Sequence, residues 1–171
     1  MKLIYEIYNI YVTIIKEVEM LEKIVDEARR TMNKNMGGPF GAMITDKEGN
    51  IISIASNTVL SDFDPTAHAE MNAIRKAGKK LKTHNLKDYI LYTTAYPCPM
   101  CLSAIIWANI KEVYYGMDVK DTAKIGFRDD FIYKYLKSDQ KDENILKLKQ
   151  IEKEKCEILF KEYVDNNKQL Y

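Results

Sequence analysis

His68 and Glu70 stand two positions apart in the segment DPTAHAEMNAIRKA, and Cys98 and Cys101 stand three positions apart in YPCPMC. These two short segments hold one of the two histidines and two of the three cysteines of the chain. Zinc accepts imidazole and thiolate ligands in tetrahedral geometry. His68, Cys98 and Cys101 are therefore candidate zinc ligands, provided that the fold brings the two segments together.

Glu70 decides whether such a metal would be structural or catalytic. On an ideal helix, residues two positions apart point about 200° away from each other. Glu70 is then poorly placed to clamp the ion that His68 binds, and better placed to reach a group bound to that ion. A carboxylate in this position transfers protons. The spacing favours a catalytic zinc with Glu70 as general acid and base.

Two other interpretations compete with a catalytic zinc. A Cys-x-x-Cys pair alone could be a redox pair. A structural zinc would need a fourth ligand, and only Cys156 and His84 remain in the chain. Neither has a paired ligand at the usual spacing. We interpret Cys156 as a small buried hydrophobic residue and His84 as a solvated loop residue.

Composition limits the class of protein. A chain of 171 residues is long enough for one domain with a core. Its 26 Lys and Arg nearly balance its 25 Asp and Glu, which argues against a protein whose main partner is nucleic acid. Three cysteines cannot form an extracellular disulfide framework, so we expect a reducing, cytoplasmic location.

The N-terminal segment has a helical pattern of apolar residues. Glu6 interrupts the apolar run, and residues 7–15 are too few to span a bilayer, so we expect neither a signal peptide nor a membrane anchor. Apolar residues recur at alternating steps of three and four, and they are Ile4, Ile7, Tyr11, Ile14, Val18, Leu21, Val25 and Ala28. This stripe predicts a long amphipathic helix. We favour packing on the sheet of its own domain over a coiled coil with a partner.

The rest of the chain predicts alternating strands and helices. FGAMITD and IISIASN flank a Gly-Asn turn and predict a β-hairpin. The segment from Thr66, its expected cap, predicts a helix, followed by the strand DYILYTT, the helix PCPMCLSAIIWAN and the strand KEVYYG. ILKLKQI predicts a fifth strand, and EKEKCEILFKEYVDNNKQLY a closing helix. Strands joined by a helix should be parallel, so the pattern predicts a mixed sheet with helices on both faces.

The two chemical segments resemble a known signature. HAE followed by PCPMC resembles the H-x-E and P-C-x-x-C motifs of the zinc-dependent cytidine and purine deaminase superfamily. The segments GGPFGA, DFDPTAHAE, AIRKA, ILYT, PCPMCLSAIIWA, GF and FIYK extend the resemblance to bacterial guanine deaminases. It implies a cytidine-deaminase-like α/β fold, three-layer α/β/α with a five-stranded mixed sheet. It also divides the chain into an N-terminal helical extension, residues 1–17, and one deaminase domain, residues 18–171.

The resemblance implies a set of site residues. One zinc ion per chain would be held by His68, Cys98 and Cys101, with Glu70 as the proton shuttle. The implied substrate-binding residues are Asn57, which hydrogen-bonds the purine, Phe40 and Trp107 around the base, Asp129 on the guanine edge, and Tyr171. For Phe40 and Trp107, ordinary core aromatics remain the alternative, and adjacent Asp130 could take the role of Asp129.

Two further features follow from the same resemblance. Tyr171 ends a C-terminal segment, residues 157–171, that is swapped between the subunits of a homodimer in the family. Tyr96 is a departure, because the family usually has glutamate directly before PCPMC. A carboxylate contact near the metal is therefore missing or replaced in this chain.

The expected function is zinc-dependent hydrolytic deamination of a small purine base, guanine, to xanthine and ammonia. The alternative is a tRNA-specific adenosine deaminase, which shares DPTAHAE and PCxMC. The near-zero net charge and the segment GFRDDFIY argue against it. A non-enzymatic, zinc-stabilised binding module is the remaining alternative. We expect no membrane partner and no nucleic-acid partner.

Overall fold

The computed structural model describes residues 1–139 and 142–170 of the chain. The side chains of residues 2, 3, 9, 10, 12–14 and 16 are not described, so the side chain of Ile14 and the whole of Tyr171 lie outside the described residues. The chain forms two compact units, Met1–Asp129 and Asp130–Tyr171, and each is considered by itself.

The first unit alternates helices and strands, as the sequence predicts. Its elements in chain order are α1 (Lys2–Met32), β1 (Gly41–Thr45), β2 (Ile51–Ser56), α2 (Val59–Asp62), α3 (Ala69–Leu81), β3 (Ile90–Ala95), α4 (Pro99–Trp107), β4 (Glu112–Met117) and α5 (Val119–Lys124). The predicted hairpin, two core helices and two further strands are confirmed. The short helices α2 and α5 are additional.

The four strands form one mixed sheet in the order β2-β1-β3-β4. β1 is antiparallel to both β2 and β3, whereas β3 and β4, which α4 connects, are parallel. The Asp46 carboxylate closes the hairpin turn by accepting a hydrogen bond from the Asn50 backbone N–H at 2.8 Å. Gly49 has a φ of +91°, a conformation that glycine adopts without strain.

Neighbouring residues of one strand face two different layers. Ala42 and Leu91 belong to a buried cluster that includes residues of α3 and α4. Met43 and Tyr92, the next residues along β1 and β3, belong to a second cluster with Ile24 of α1. Because successive side chains of a strand point to opposite faces, α1 covers one face of the sheet and α3 and α4 cover the other. The predicted α/β/α layering is confirmed for this unit.

The face of α1 that packs on the sheet differs from the predicted stripe. Met20, Ile24 and Ala28, spaced four residues apart, are buried, whereas Val18 and Val25 of the predicted stripe are exposed. A repeat of seven residues drifts around a straight helix with 3.6 residues per turn. An eight-member stripe therefore cannot face a single sheet along its whole length. The helix passes residue 17 without a break, and the division of the chain there stays a prediction.

The described residues of the second unit form two helices, α6 (Asp130–Lys137) and α7 (Lys153–Asp165), so the closing helix is confirmed. Residues 145–151, the expected fifth strand, are irregular and exposed. An alternating sequence forms a strand only when a neighbouring strand takes up its backbone hydrogen bonds, and the described part of this unit contains none. The prediction of five strands was wrong, since the described residues form four.

Among the described residues, no helix combines the length and the apolar character that a membrane span requires.

Candidate active site

The residues His68 and Cys98 occupy equivalent positions at the starts of two helices. Each directly precedes a helix, with φ of −68° and ψ of 157° at His68, and φ of −64° and ψ of 168° at Cys98. Ser, Thr, Asp or Asn in this position usually turns its side chain back onto the first N–H groups of its helix. Neither side chain does so here. Both are therefore available to bind something between the two helices.

The backbone around each position explains this placement. Pro99 opens α4, where its fixed φ suits the first helical turn and its missing N–H costs nothing. Thr66, the expected cap of α3, instead bonds the Asp64 carboxylate through its backbone N–H and its hydroxyl, both at 2.7 Å. That prediction was wrong by two residues, because the tight Asp64–Thr66 turn delays the helix until Ala69.

The three candidate ligands lie close together. His68 Nδ1 is 3.6 Å from Cys98 Sγ and 3.7 Å from Cys101 Sγ. A tetrahedral zinc with ordinary Zn–S and Zn–N bond lengths would separate sulfur and nitrogen ligands by about 3.6 Å. The donor set and its spacing fit zinc, and the predicted convergence of the two helix starts is confirmed. His68, Cys98 and Cys101 form a candidate zinc site.

No fourth ligand joins this group among the described residues. His84 follows the far end of α3, about 20 Å of helix away from His68, and it is exposed, as predicted. Cys156 lies on α7 in the second unit and is exposed, so its interpretation as a buried hydrophobic residue was wrong. Structural zinc sites normally have four protein ligands, whereas three leave one position for water or substrate.

The two cysteines differ in acidity without a metal. The Cys101 thiol donates a hydrogen bond to the Cys98 sulfur, which lowers the pKa of Cys98 to about 4, with further help from His68. Cys98 raises the pKa of Cys101 for the complementary reason, and burial and Glu70 raise it further. Cys98 also raises the pKa of His68 by accepting a hydrogen bond from its ring. The pair thus holds one proton that a metal cation would displace.

Glu70 lies in the first turn of α3 and is only 6% exposed. Its Oε1 accepts a hydrogen bond from the Thr93 hydroxyl at 3.1 Å, and its Oε2 lies 3.5 Å from Cys101 Sγ. Burial raises the pKa of Glu70. His68 has extended backbone rather than helical backbone, so the expected angle of about 200° between the two residues does not apply. Glu70 approaches the cluster without belonging to the ligand group.

Asn57, a predicted substrate contact, is buried directly after β2. Its Oδ1 accepts hydrogen bonds from the backbone N–H groups of Gly38 at 3.3 Å and Val59 at 3.2 Å. Because Oδ1 accepts both of these hydrogen bonds, the orientation of the amide is fixed. The Nδ2 group has no acceptor among the described residues. A Cβ at Gly37 would overlap Asn57, so glycine is required there.

Phe40 lies beside this segment, and its backbone carbonyl accepts a hydrogen bond from the Asn57 N–H at 2.9 Å. Its ring packs partly against the core and meets Phe127 edge to face, with centroids 4.8 Å apart. Phe127 lies in the segment GFRDD and did not emerge from the sequence. The half-buried Phe40 ring thus belongs both to the core and to an aromatic pair.

The remaining predicted contacts are Trp107, Asp129 and Tyr171. Trp107 is the last residue of α4, about 9 Å of helix beyond Cys101, and it is 76% exposed, so it is not a core aromatic. Asp129 directly precedes α6, whereas Asp130 begins α6 and pairs with Lys134 at 3.2 Å. The roles of Trp107 and Asp129, like that of Tyr171, stay predictions.

Two side-chain contacts near the site did not emerge from the sequence. One is the Thr93 hydroxyl on Glu70. The other is the Asn72 amide, which donates to the Ser56 carbonyl (3.0 Å), the Thr58 hydroxyl (2.9 Å) and the Ala67 carbonyl (3.3 Å). Asn72 thereby joins the segments that carry Asn57 and His68. No local pattern in the sequence marks Asn72, because its hydrogen-bond partners lie in other segments of the chain.

Tyr96, the departure from the family pattern, packs its ring edge to face on Tyr115, with centroids 5.1 Å apart. Its backbone N–H bonds the Met117 carbonyl at 2.8 Å. Tyr96, the residue directly before Pro97, therefore makes an aromatic contact with Tyr115 of β4.

Comparisons with known proteins agree with this geometry. Residues 15–117 match the family described as "Cytidine and deoxycytidylate deaminase zinc-binding region". The chain is 52% identical over 114 residues to the guanine deaminase of Bacillus subtilis (strain 168), an alignment that covers 67% of this chain and 72% of that protein. It is 43% identical over 89 residues to a tRNA-specific adenosine deaminase of Buchnera aphidicola subsp. Schizaphis graminum (strain Sg), covering 52% and 58% of the two chains. The chain thus spans a little over half of that tRNA-acting relative.

The solved structures of two guanine deaminases are similar to the structure of this chain. The X-ray structure of the Bacillus subtilis guanine deaminase has a TM-score of 0.65 with 50% identity, covering 68% of this chain and 73% of that chain. A guanine deaminase from Nitrosomonas europaea has a TM-score of 0.62 with 29% identity, covering 64% and 63%. The matched sequence contains all three candidate ligands and Glu70. The chain therefore belongs to the cytidine and deoxycytidylate deaminase family, and it has the zinc-binding region and the α/β fold of that family.

Proposed function

We propose that the protein is a guanine deaminase, which hydrolyses guanine to xanthine and ammonia. The observation that carries the proposal is the three-ligand cluster with the Glu70 carboxylate beside it, 3.5 Å from Cys101 Sγ. Three protein ligands suit a catalytic zinc. The identity of 52% to a guanine deaminase supports the choice of substrate.

Glu70 supplies the proton transfers of the proposed reaction. When bound, zinc would act as a Lewis acid that makes water a nucleophile near neutral pH. Glu70 takes a proton from the attacking water and delivers it to a ring nitrogen of guanine as a bond forms at C2. It later passes a proton to the leaving amino group, so that one water is consumed and one ammonia is released. Its buried position beside the ligands supports this role.

The substrate contacts belong to the same proposal. The Nδ2 group of Asn57 is a donor for an acceptor atom of the purine, because Oδ1 is already used by Gly38 and Val59. Phe40 offers an aromatic ring next to Asn57. Asp129 accepts the N1–H and amino donors of guanine, and Trp107 and Tyr171 complete the enclosure of the base.

The experiment that tests this function is an ammonia-release assay of the zinc-loaded protein. The substrates are guanine, adenine, cytosine, their nucleosides and a tRNA anticodon stem-loop. Release from guanine, with xanthine formed in equal amount, is the expected result. Release from the stem-loop alone would establish the tRNA-specific adenosine deaminase instead, which the 43% identity to such an enzyme makes the second candidate. A folded, zinc-loaded protein that is inactive on every substrate would support the binding module.

We further propose a cytoplasmic homodimer in which the C-terminal segment is swapped. α7 has no buried residue, and its apolar side chains Ile158, Leu159, Phe160 and Val164 are all exposed. A second copy of the chain would cover them. Light scattering should give a dimer mass, and deletion of Leu170 and Tyr171 should reduce guanine turnover while mass and zinc content are kept. A monomer mass would contradict the swap. Three free cysteines suit a reducing compartment.

A further inference from the structure

Thr93 places a hydroxyl group inside the layer that contains the site. It lies in β3, between Leu91 and Ala95, and it is only 1% exposed. Leu91 packs in the cluster with α3 and α4, and residues two apart on a strand share a face. Thr93 therefore points towards the first turn of α3, where Glu70 lies.

The two oxygens of Glu70 have different partners. The Thr93 hydroxyl donates to Oε1 at 3.1 Å, whereas Oε2 lies 3.5 Å from Cys101 Sγ. The first contact comes from the rigid centre of the sheet, since β3 is paired on both sides. The second comes from a candidate metal ligand. The hydrogen bond from the sheet to Oε1 restrains rotation of the carboxylate plane and favours the orientation in which Oε2 lies on the side of the ligand cluster.

We propose that Thr93 is a positioning residue, whose hydroxyl fixes the Glu70 carboxylate so that Oε2 faces the reacting water and base. This inference rests on the proposed role of Glu70 in guanine deamination. A carboxylate that carries protons between a water and a ring must lie within hydrogen-bond reach of both. A small rotation of a side chain in this role costs a large factor in rate.

A second threonine separates the effect of the hydroxyl from the effect of packing. Thr45 lies at the end of β1 in the same sheet and is 0% exposed, but its Oγ1 has no hydrogen-bond partner among the described residues. The sheet therefore accommodates a buried threonine hydroxyl that makes no hydrogen bond with another described residue. Replacement of either threonine by valine keeps the shape of the side chain and removes only the hydroxyl. Thr45→Val is thus a matched control for Thr93→Val.

The test compares Thr93→Val, Thr93→Ser, Thr45→Val and the wild-type protein, each zinc-loaded, in steady-state guanine deamination. Thr93→Val should lower kcat roughly ten- to hundredfold, because it removes one hydrogen bond to a charged group. KM should change by less than about twofold, since Thr93 does not touch the substrate. Thr93→Ser keeps the hydroxyl and should recover most of kcat, and Thr45→Val should match the wild type. If Thr93→Val does not fold, Thr93→Ala takes its place.

A second measurement isolates the coupling between the two residues. In a Glu70→Gln background, Thr93→Val should cause no further loss of kcat, because residues that act as one unit are not additive. Full kcat in Thr93→Val would overturn the inference. So would an equal loss in Thr93→Ser, which would mean that shape rather than the hydroxyl matters, or a loss expressed only in KM.

Crystal structures of the zinc-loaded variants decide the inference even if guanine proves not to be the substrate. The Glu70 carboxylate should keep its position in Thr93→Ser and should rotate or become disordered in Thr93→Val. An unchanged carboxylate in Thr93→Val would overturn the positioning role. Absence of guanine turnover in the wild-type protein would instead refute the proposed function, so the two failures are distinguishable.

Discussion

His68 Nδ1 lies 3.6 Å from Cys98 Sγ, although 30 residues separate them in the chain, and each residue directly precedes the first turn of its helix. The positive ends of two helix dipoles therefore point at the same small volume. Such a field favours thiolate over thiol and draws anionic ligands to the site. The sheet fixes this meeting point, because β3 leads into α4 and packs against α3.

The first prediction concerns metal content. Purified protein should contain about one zinc per chain, and Cys101→Ala should lose it, because two remaining ligands cannot hold a tetrahedral ion tightly. Cys156→Ala removes an exposed cysteine outside the cluster and should keep full zinc. Elemental analysis of both variants checks this. Full zinc in Cys101→Ala would remove Cys101 from the ligand set.

The second prediction concerns Glu70. Glu70→Gln keeps the size of the side chain and an acceptor for Thr93, but it cannot carry a proton. Zinc content and thermal stability should stay near wild type, whereas guanine turnover should fall by roughly a hundredfold or more. Glu48→Gln, at an exposed position of the hairpin turn, is the control for the same chemical change and should have no effect. Near-normal turnover in Glu70→Gln would mean that another group transfers the protons.

The third prediction concerns the metal-free protein. Because hydrogen bonds from Cys101 and His68 lower the pKa of Cys98 to about 4, its sulfur should remain a thiolate at every pH above that value. After zinc removal, iodoacetamide should alkylate Cys98 at a nearly constant rate from about pH 8 to about pH 5, and more slowly as the pH falls through about 4. Mass mapping of peptides separates Cys98 from Cys156. Bound zinc should protect Cys98, and alkylation confined to alkaline pH would contradict the shift.

The fourth prediction concerns Asn57. Asn57→Asp keeps an acceptor for the Gly38 and Val59 N–H groups but removes the Nδ2 donor. The variant should fold and bind zinc, while KM for guanine rises about tenfold or more, because a donor to the base is lost. Asn57→Ala removes the acceptor as well and should also lower the melting temperature. Unchanged KM in Asn57→Asp would exclude Asn57 from the substrate contacts.

The sequence predicted the ligands more completely than their surroundings. His68, Cys98 and Cys101 carry rare chemistry at informative spacing, so residue type and position alone identify them as candidates. Thr93 could not be identified in this way, because threonine is common in strands. Its proposed role depends on a contact with Glu70, which lies 23 residues earlier in the sequence. Long-range contacts of common residues leave no local pattern.

Two of the wrong predictions, the fifth strand and the buried face of α1, have a common physical cause. Residues 145–151 have the alternation of a strand, and α1 has an apolar stripe, yet both patterns describe only what a segment could bury. Whether it does so depends on a partner surface elsewhere in the chain. Val18 and Val25 are exposed because the sheet meets α1 through Met20 and Ile24 instead.

The last prediction concerns the carboxylate that accepts hydrogen bonds from the N1–H and 2-amino groups of guanine. Guanine offers N1–H and a 2-amino group, two donors that one carboxylate can accept, whereas adenine offers an unprotonated N1. The resemblance to guanine deaminases assigns this contact to Asp129, so we expect Asp129 rather than the adjacent Asp130 to make it. Asp129→Asn replaces one acceptor oxygen by a donor and should lower kcat/KM for guanine by about a hundredfold or more. Asp130→Asn, the same change one residue later, should stay near the wild-type value.

Both variants are to be assayed with guanine and adenine, and zinc content is measured in parallel to exclude metal loss. The wild-type protein should prefer guanine by a factor on the order of ten thousand, because adenine would leave the carboxylate that faces the bound base unpaired. Asp129→Asn should narrow that preference, since an amide can donate to the N1 of adenine. The reverse pattern would assign the contact to Asp130. Equal activity of both variants with the wild type would mean that neither carboxylate touches the base, and that guanine is selected by other groups.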